Sequence, residues 1–166
     1  LAGMDYMIMN ALSREYLLDA FVSNVRDKYD YILIDCSPSL NLVTINVLTA
    51  SDSVIIPVEA SYLSMTGLQQ LLASIGSTKR KLNRKLEVEG IVINKVNTRT
   101  NHEKDIIGKL REAYGGQIKI FDVMIPESVR AKECTAFGVS IYKYDGKGKV
   151  AKSFEELTRE VMEHGC

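Results

Sequence analysis

The residue best placed to do chemistry is Asp35, which closes the run Tyr29-Asp30-Tyr31-Ile32-Leu33-Ile34. Cys36-Ser37-Pro38-Ser39 follows it and cannot continue a strand. A short apolar run with a carboxylate at its end is expected to be a buried parallel strand that delivers the acid to the sheet's C-terminal edge. Open α/β sheets bind their ligands at that edge. Two readings are open for Asp35. It satisfies a turn or caps the next helix, as strand-end aspartates commonly do, or it orients Mg²⁺ and its waters beside a nucleotide's phosphates in the Walker B role.

Other chemistries are poorly supplied. His102 and His164 stand near no cysteine or acid at ligand spacing, so a side-chain metal cage is not expected. No GxSxG elbow is present, which sets a nucleophilic triad aside. The phosphate loop GxxxxGK[ST] occurs nowhere, and Gly146-Lys147-Gly148-Lys149 lacks its first glycine and its hydroxyl residue. A phosphate cradle is therefore not expected from this chain alone.

The elements that must position Asp35 alternate. A helix is expected over about 13–28 with Ser13 as its cap, and a second over 40–50. The segment 53–57 (SVIIP) repeats the strand pattern and is expected to stop at its proline. A helix capped by Ser64 or Thr66 follows, ending in Lys79, Arg80, Lys81, Arg84 and Lys85. That run reads first as a solvated helix end favoured by the dipole, with DNA contact as the lesser option. Further strands are expected at 88–94 and 118–125, with a helix through Ile106, Ile107 and Leu110 that breaks at Gly115-Gly116. A short helix over 128–136, a loop over 142–149 and a last helix to about 163 complete the chain. The expected fold is α/β, a mainly parallel sheet with helices on both faces and right-handed crossovers, in a single domain over 1–166.

Composition fits that reading. The chain has 166 residues, 46% of them hydrophobic, and its 21 Lys+Arg balance 21 Asp+Glu. With no net charge, nucleic-acid binding needs a local patch. Cys36, Cys134 and Cys166 form no CxxC pair, which points to a reducing, cytoplasmic setting. No apolar stretch reaches the roughly 20 residues that span a bilayer. Residue 1 is Leu, and a piece of a longer chain is expected.

Along YDYILIDCSPSLNLVTINVLTASDSVIIPV the sequence resembles the ParA/Soj family of partition ATPases, deviant Walker A relatives of MinD. Leu1-Ala2-Gly3, Ser13-Arg14-Glu15, Arg99-Thr100-Asn101, Ile125-Pro126 with Val129-Arg130, and Tyr144-Asp145 match in order, so the likeness covers essentially the whole chain. It implies a P-loop NTPase-like fold that is incomplete here, this being the C-terminal part of the ATPase domain, with the KGGxGK[ST] loop and switch I ahead of Leu1. It implies that Asp35 is the Walker B acid acting on Mg²⁺ through water, and that Pro38 lies in the switch II turn. Asn94 and Pro126 would meet the adenine base, and Arg99, Arg130, Lys104 and Lys132 would contact DNA phosphates. ATP and Mg²⁺ belong to the complete protein, with none expected tightly bound to this chain, which alone is expected to be inactive. The implied partners are a second copy in an ATP-dependent homodimer, non-specific DNA and a ParB-type stimulating protein, in the cytoplasm on the nucleoid. A non-hydrolysing ParA-like regulator or adaptor is the alternative. A MinD-like membrane-associated ATPase ranks below both, because the segment 155–163 is acidic. Two departures stand out. Ser37-Pro38-Ser39-Leu40-Asn41 replaces the family's Pro-Pro-Ser-Leu-Gly, and Glu127 stands where many relatives carry a basic residue.

Overall fold

The computed structural model describes residues 12–36, 41–97 and 100–164. Among them, residues up to Val54 together with Gln69–Glu87 form one compact unit, and Ile55–Leu68 with the residues from Val88 onward form another.

In the first unit, α1 (Leu17–Ser23) packs on α2 (Leu42–Ala50). The expected long helix over 13–28 is instead two 3₁₀ turns, Arg14–Tyr16 and Arg26–Lys28, flanking α1. Ser13 does not cap it: its φ is 54° and its side chain makes no cap bond. α2 is apolar on every side, and Val47, Leu48 and Ala50 are buried along with Thr44, Asn46 and Thr49. Such a helix belongs in a core, and its polar groups must be satisfied there. Asn46 is: its Nδ2 donates to the Arg14 and Leu42 carbonyls at 2.8 and 3.0 Å, and its Oδ1 accepts the Leu18 N–H at 3.2 Å. Asn41, one of the two departures, caps α2 by accepting the Thr44 N–H at 3.1 Å.

The expected buried strand at 31–34 is not formed. Residues 31–36 have no regular structure, and Tyr31 and Leu33 are 66% and 93% exposed. A strand exists only by its ladder, and among the described residues nothing pairs with this run, whose β-branched pattern is left unmatched.

The second unit holds all but the first residues of β1 and β2 in a sheet of order β1 (Ser53–Glu59), β2 (Glu87–Val96), β3 (Ile120–Pro126), with β2 and β3 parallel. β1 runs through Pro57 rather than stopping there. It is an outer strand of this sheet, where a missing N–H is tolerated, and Pro57 is exposed. Successive residues Ile91, Val92 and Ile93 are all buried, so both faces of β2 are covered. Gly90 lets Phe121 pack directly on the β2 backbone: a Cβ at 90 would lie 2.7 Å from the Phe121 ring. Val92, Phe121, Ile125 and Val150 form the core here, with Val123, Leu157 and Val161 against it.

Four helices complete the unit: α4 (Asn101–Tyr114), α5 (Val129–Ala136), α6 (Ile141–Asp145) and α7 (Lys149–His164). α6 occupies part of what was expected to be a loop, because Ser140 caps it through the Tyr142 N–H at 3.2 Å. α3 (Tyr62–Lys81) begins earlier than expected, with Ser61 Oγ accepting the Ser64 N–H at 3.2 Å. α7 packs along β3, and its Glu160 carboxylate accepts the Asp122 and Val123 N–H groups at 3.2 and 3.4 Å. A side chain thus closes outer-strand donors that would otherwise be open to pairing. Among the described residues, no helix is long and apolar enough to cross a membrane.

Candidate functional site

The C-terminal ends of the three strands carry polar groups, and each strand hands its chain to a capped helix. At the end of β2 the ladder breaks between Ile93 and Val96, and Lys95 takes a φ of 54°. The Asn94 carboxamide oxygen stabilises that bulge by accepting the Lys95 N–H at 2.9 Å. Lys95 Nζ in turn reaches Glu59 at the end of β1, at 2.5 Å. The hydrogen bond to Glu59, and then its charge, raise the Lys95 ammonium's pKa above its ordinary value. Val96 stands opposite Pro126, and the Glu127 N–H closes the pair onto the Val96 carbonyl at 3.0 Å. Asn94 and Pro126 are therefore brought to one edge on neighbouring strands, both half-buried. A cleft of about 470 Å³ opens beside Pro126, lined by Val96, Met124, Lys149, Lys152 and Glu156 among others. That size suits a small-molecule site, which commonly spans about 300–1,000 Å³.

The cations expected to meet phosphate sit just beyond this edge. Thr100 caps α4 through the Glu103 N–H at 3.4 Å, while Glu103 reaches back to the Asn97 N–H at 2.6 Å, and Lys104 follows in the first turn, exposed. Ser128 caps α5 through the Arg130 N–H at 3.1 Å, which puts Arg130 and Lys132 in that helix's first turn. Cations are disfavoured at a helix N-terminus by the dipole, by about 0.3–1 kcal/mol each, so stability does not explain them. They add instead to the positive potential of two helix starts, a setting for anions. Arg130 also stands 5.9 Å from the Tyr144 ring, whose hydroxyl donates to Glu133 at 3.0 Å. That hydrogen bond, then burial, raises the Tyr144 pKa. Lys132 is engaged: Glu127 lies 2.8 Å away, and the hydrogen bond to Lys132 lowers the Glu127 pKa.

Asp35 lies in the first unit, exposed, with no hydrogen bond or ion pair among the described residues. Beside it, burial first and the Asp35 charge second push the Cys36 thiol up. Pro38 and Arg99 fall outside the described residues. The sequence reading missed Glu59, Lys95 and Glu103, although charged residues directly after apolar strand runs and three residues after Thr100 were visible signals.

Nucleotide and metal fit these groups in different degrees. Asn94 offers an amide and Pro126 a flat apolar ring beside a cleft, which suits a base. No cluster of three or more His, Cys, Asp or Glu able to hold a metal occurs among the described residues. A lone exposed carboxylate suits Mg²⁺ only in its usual mode, through water and phosphate oxygens.

A three-stranded parallel sheet with helices and polar strand ends of this kind is a ParA/MinD-type, P-loop NTPase-like α/β fold. The cell division ATPase MinD of Pyrococcus furiosus shares the fold, with TM-score 0.72 and 21% identity over 90% of this chain and 58% of that one. Cobyrinic acid a,c-diamide synthase of Mycobacterium smegmatis, solved with ADP and magnesium, superposes at TM-score 0.70 with 29% identity over 76% of this chain and 51% of that one. In sequence, the sporulation initiation inhibitor protein Soj of Bacillus subtilis is 38% identical over 99% of this chain and 64% of its own. The chromosome partitioning protein ParA of Myxococcus xanthus is 38% identical over 98% of this chain and 56% of its own. A family model described as an AAA domain matches residues 1–88. The chain belongs to this AAA-domain family, and its homologues are the Soj/ParA partition ATPases. It spans 64% and 56% of the length of these two relatives.

Proposed function

We propose that the whole protein is a ParA-type ATPase that drives plasmid or chromosome partitioning by ATP-dependent dimerisation and DNA binding without sequence preference. The observation that carries this reading is the match to Soj from end to end of the chain, at 38% identity over 165 residues. The strand-end groups support it. When bound, ATP with Mg²⁺ supplies a γ-phosphoryl group for transfer to water. Asp35 would hold the metal's water ligands, and Pro38 is assigned to switch II. The Asn94 carboxamide pairs with the base edge, and Pro126 packs on its face. Arg99, Arg130 and Lys104 contact DNA phosphates, with Lys132 shared between DNA and Glu127. Dimerisation doubles that set and so multiplies affinity. A second copy, DNA and a ParB-type stimulating protein are the partners, in the cytoplasm on the nucleoid and not at a membrane.

The test is DNA binding by the whole protein with and without ATP, beside its Asp35→Ala variant. The expected result is DNA affinity that rises with ATP, and hydrolysis that Asp35→Ala abolishes. DNA binding indifferent to ATP, or hydrolysis that survives Asp35→Ala, overturns the reading.

A further inference from the structure

The strongest unassigned feature of the surface is the end of α3. Lys79, Arg80, Lys81, Arg84 and Lys85 fall within seven consecutive residues, and all five are exposed. None forms an ion pair among the described residues, whereas eight cations elsewhere each face a carboxylate within 3.9 Å. In a chain of zero net charge this is an unopposed local field. The helix dipole accounts for cations in the last turn, Lys79 to Lys81, but its effect falls off beyond the helix, where Arg84 and Lys85 stand.

The patch is also held in place. Asn83 Nδ2 donates to the carbonyls of Leu48, Thr49 and Ser51 at 3.1, 3.1 and 2.7 Å, which pins the turn to the end of α2. Its Oδ1 accepts the Lys85 N–H at 3.2 Å, and Leu86, fully buried, anchors the chain directly after the cations. Gly76 leaves room for Arg80 to lie back along the helix, its Nη1 3.4 Å from where a Cβ would stand. Fixed cations lose less entropy on meeting a polyanion than cations on a loose tail. No exposed apolar side chain lies between them: Leu82 is half-buried and Asn83 is engaged. A membrane-surface segment would present apolar anchors there, so the chemistry favours a phosphate backbone over a bilayer.

We propose that the segment from Lys79 to Lys85 is a second DNA-contacting surface, distinct from the strand-end cations and independent of nucleotide. Its five cations contact the phosphate backbone, where charge supplies affinity and fixes register. Each phosphate neutralised adds about 0.9 to the salt slope of binding.

The experiment measures fluorescence anisotropy of a mixed-sequence duplex of about two helical turns with this chain, without ATP, from about 50 to about 200 mM KCl. Wild type is compared with the triple variant Lys81→Gln/Arg84→Gln/Lys85→Gln and with the charge-keeping Lys81→Arg/Arg84→Lys/Lys85→Arg. The glutamine variant is expected to lower the slope by about 2.7, so that over the fourfold salt rise wild type loses about 40-fold more affinity than the variant. The charge-keeping variant is expected to match wild type. An unchanged slope in the glutamine variant, or no duplex binding by wild type at the lowest salt, overturns the proposal. So does binding to phosphatidylglycerol vesicles without duplex binding. Failure here leaves ATP-dependent DNA binding by the whole protein untouched, and the reverse holds as well.

Discussion

Asn83 should be one of the costliest half-buried polar residues to change, and the direction of the change separates its hydrogen bonds from its volume. Its Nδ2 meets three carbonyls, Leu48, Thr49 and Ser51, at 3.1, 3.1 and 2.7 Å, and its Oδ1 takes the Lys85 N–H at 3.2 Å. Two hydrogens shared among three acceptors, plus one accepted bond, amount to roughly three net bonds at about 0.5–1.5 kcal/mol each. Asn83→Ala is therefore expected to cost about 2–3 kcal/mol. Asn83→Asp keeps the volume but turns a donor into a carboxylate oxygen facing the negative end of α2, and is expected to cost about 1–2 kcal/mol more at pH 7. Those carbonyls raise the new carboxyl's folded pKa above its unfolded value. Its excess cost is then present above the folded pKa and disappears as pH falls through it, when the protonated acid donates again. Urea unfolding followed by circular dichroism, at neutral pH and in acid above the general unfolding limb, measures both effects. Asn83→Ala within about 0.5 kcal/mol of wild type, or Asn83→Asp tracking Asn83→Ala at both pH values, would refute this account.

Gly90→Ala is expected to destabilise by about 1–3 kcal/mol, because its Cβ meets the Phe121 ring at 2.7 Å and the Lys119 carbonyl at 3.1 Å. Adding Phe121→Leu should return part of that loss in a double-mutant cycle, and strict additivity would show that the ring is not the obstacle. For Glu160, burial pushes the carboxyl up, but the Asp122 and Val123 N–H groups and Lys119 outweigh it and leave its pKa below the ordinary 4.5. A depressed folded pKa gives stability that is present above the unfolded value and lost as pH falls through the folded one, so Glu160→Gln should flatten the acid limb below about pH 4.5. A limb of unchanged slope counts against that coupling. Glu127→Gln frees Lys132, now 2.8 Å from the carboxylate, and in the whole protein with ATP should steepen the salt dependence of DNA binding by about 0.9. No change in slope would remove Lys132 from the DNA surface. Asn94→Ala in the whole protein should weaken ATP binding about tenfold, the loss of one base hydrogen bond, with no such change for a triphosphate lacking a base; equal losses for both would take Asn94 out of base recognition.

How far the sequence could be read depended on whether an element's partners were local. The end of α4 and the span of α5 were legible to within a residue or so, since the Gly115 stop and Ser128 act through bonds a few residues apart, whereas the Thr100 cap that starts α4 was not read. β2 and β3 were legible because their apolar runs find each other within this chain. The run from Tyr31 to Ile34 carries an equally strong pattern and forms no strand, because pattern supplies side chains while a ladder supplies the structure. Ser13 failed as a cap for a related reason: Asn46, far along the chain, binds the Arg14 carbonyl and the Leu18 N–H and dictates how the chain enters α1.

Long-range polar bonds of this kind leave no periodic trace in a sequence. The same is true of Asn83 under the carbonyls of α2 and of Glu160 on β3. Asn41 sharpens the point. It departs from the family's glycine, yet its side chain caps α2 and gives the helix after Asp35 a fixed start. A fixed start is what a switch needs if a change at Asp35 is to move the helix as a unit rather than fray its first turn. If Asp35 acts as proposed, the cap that Asn41 places on α2 therefore favours that movement.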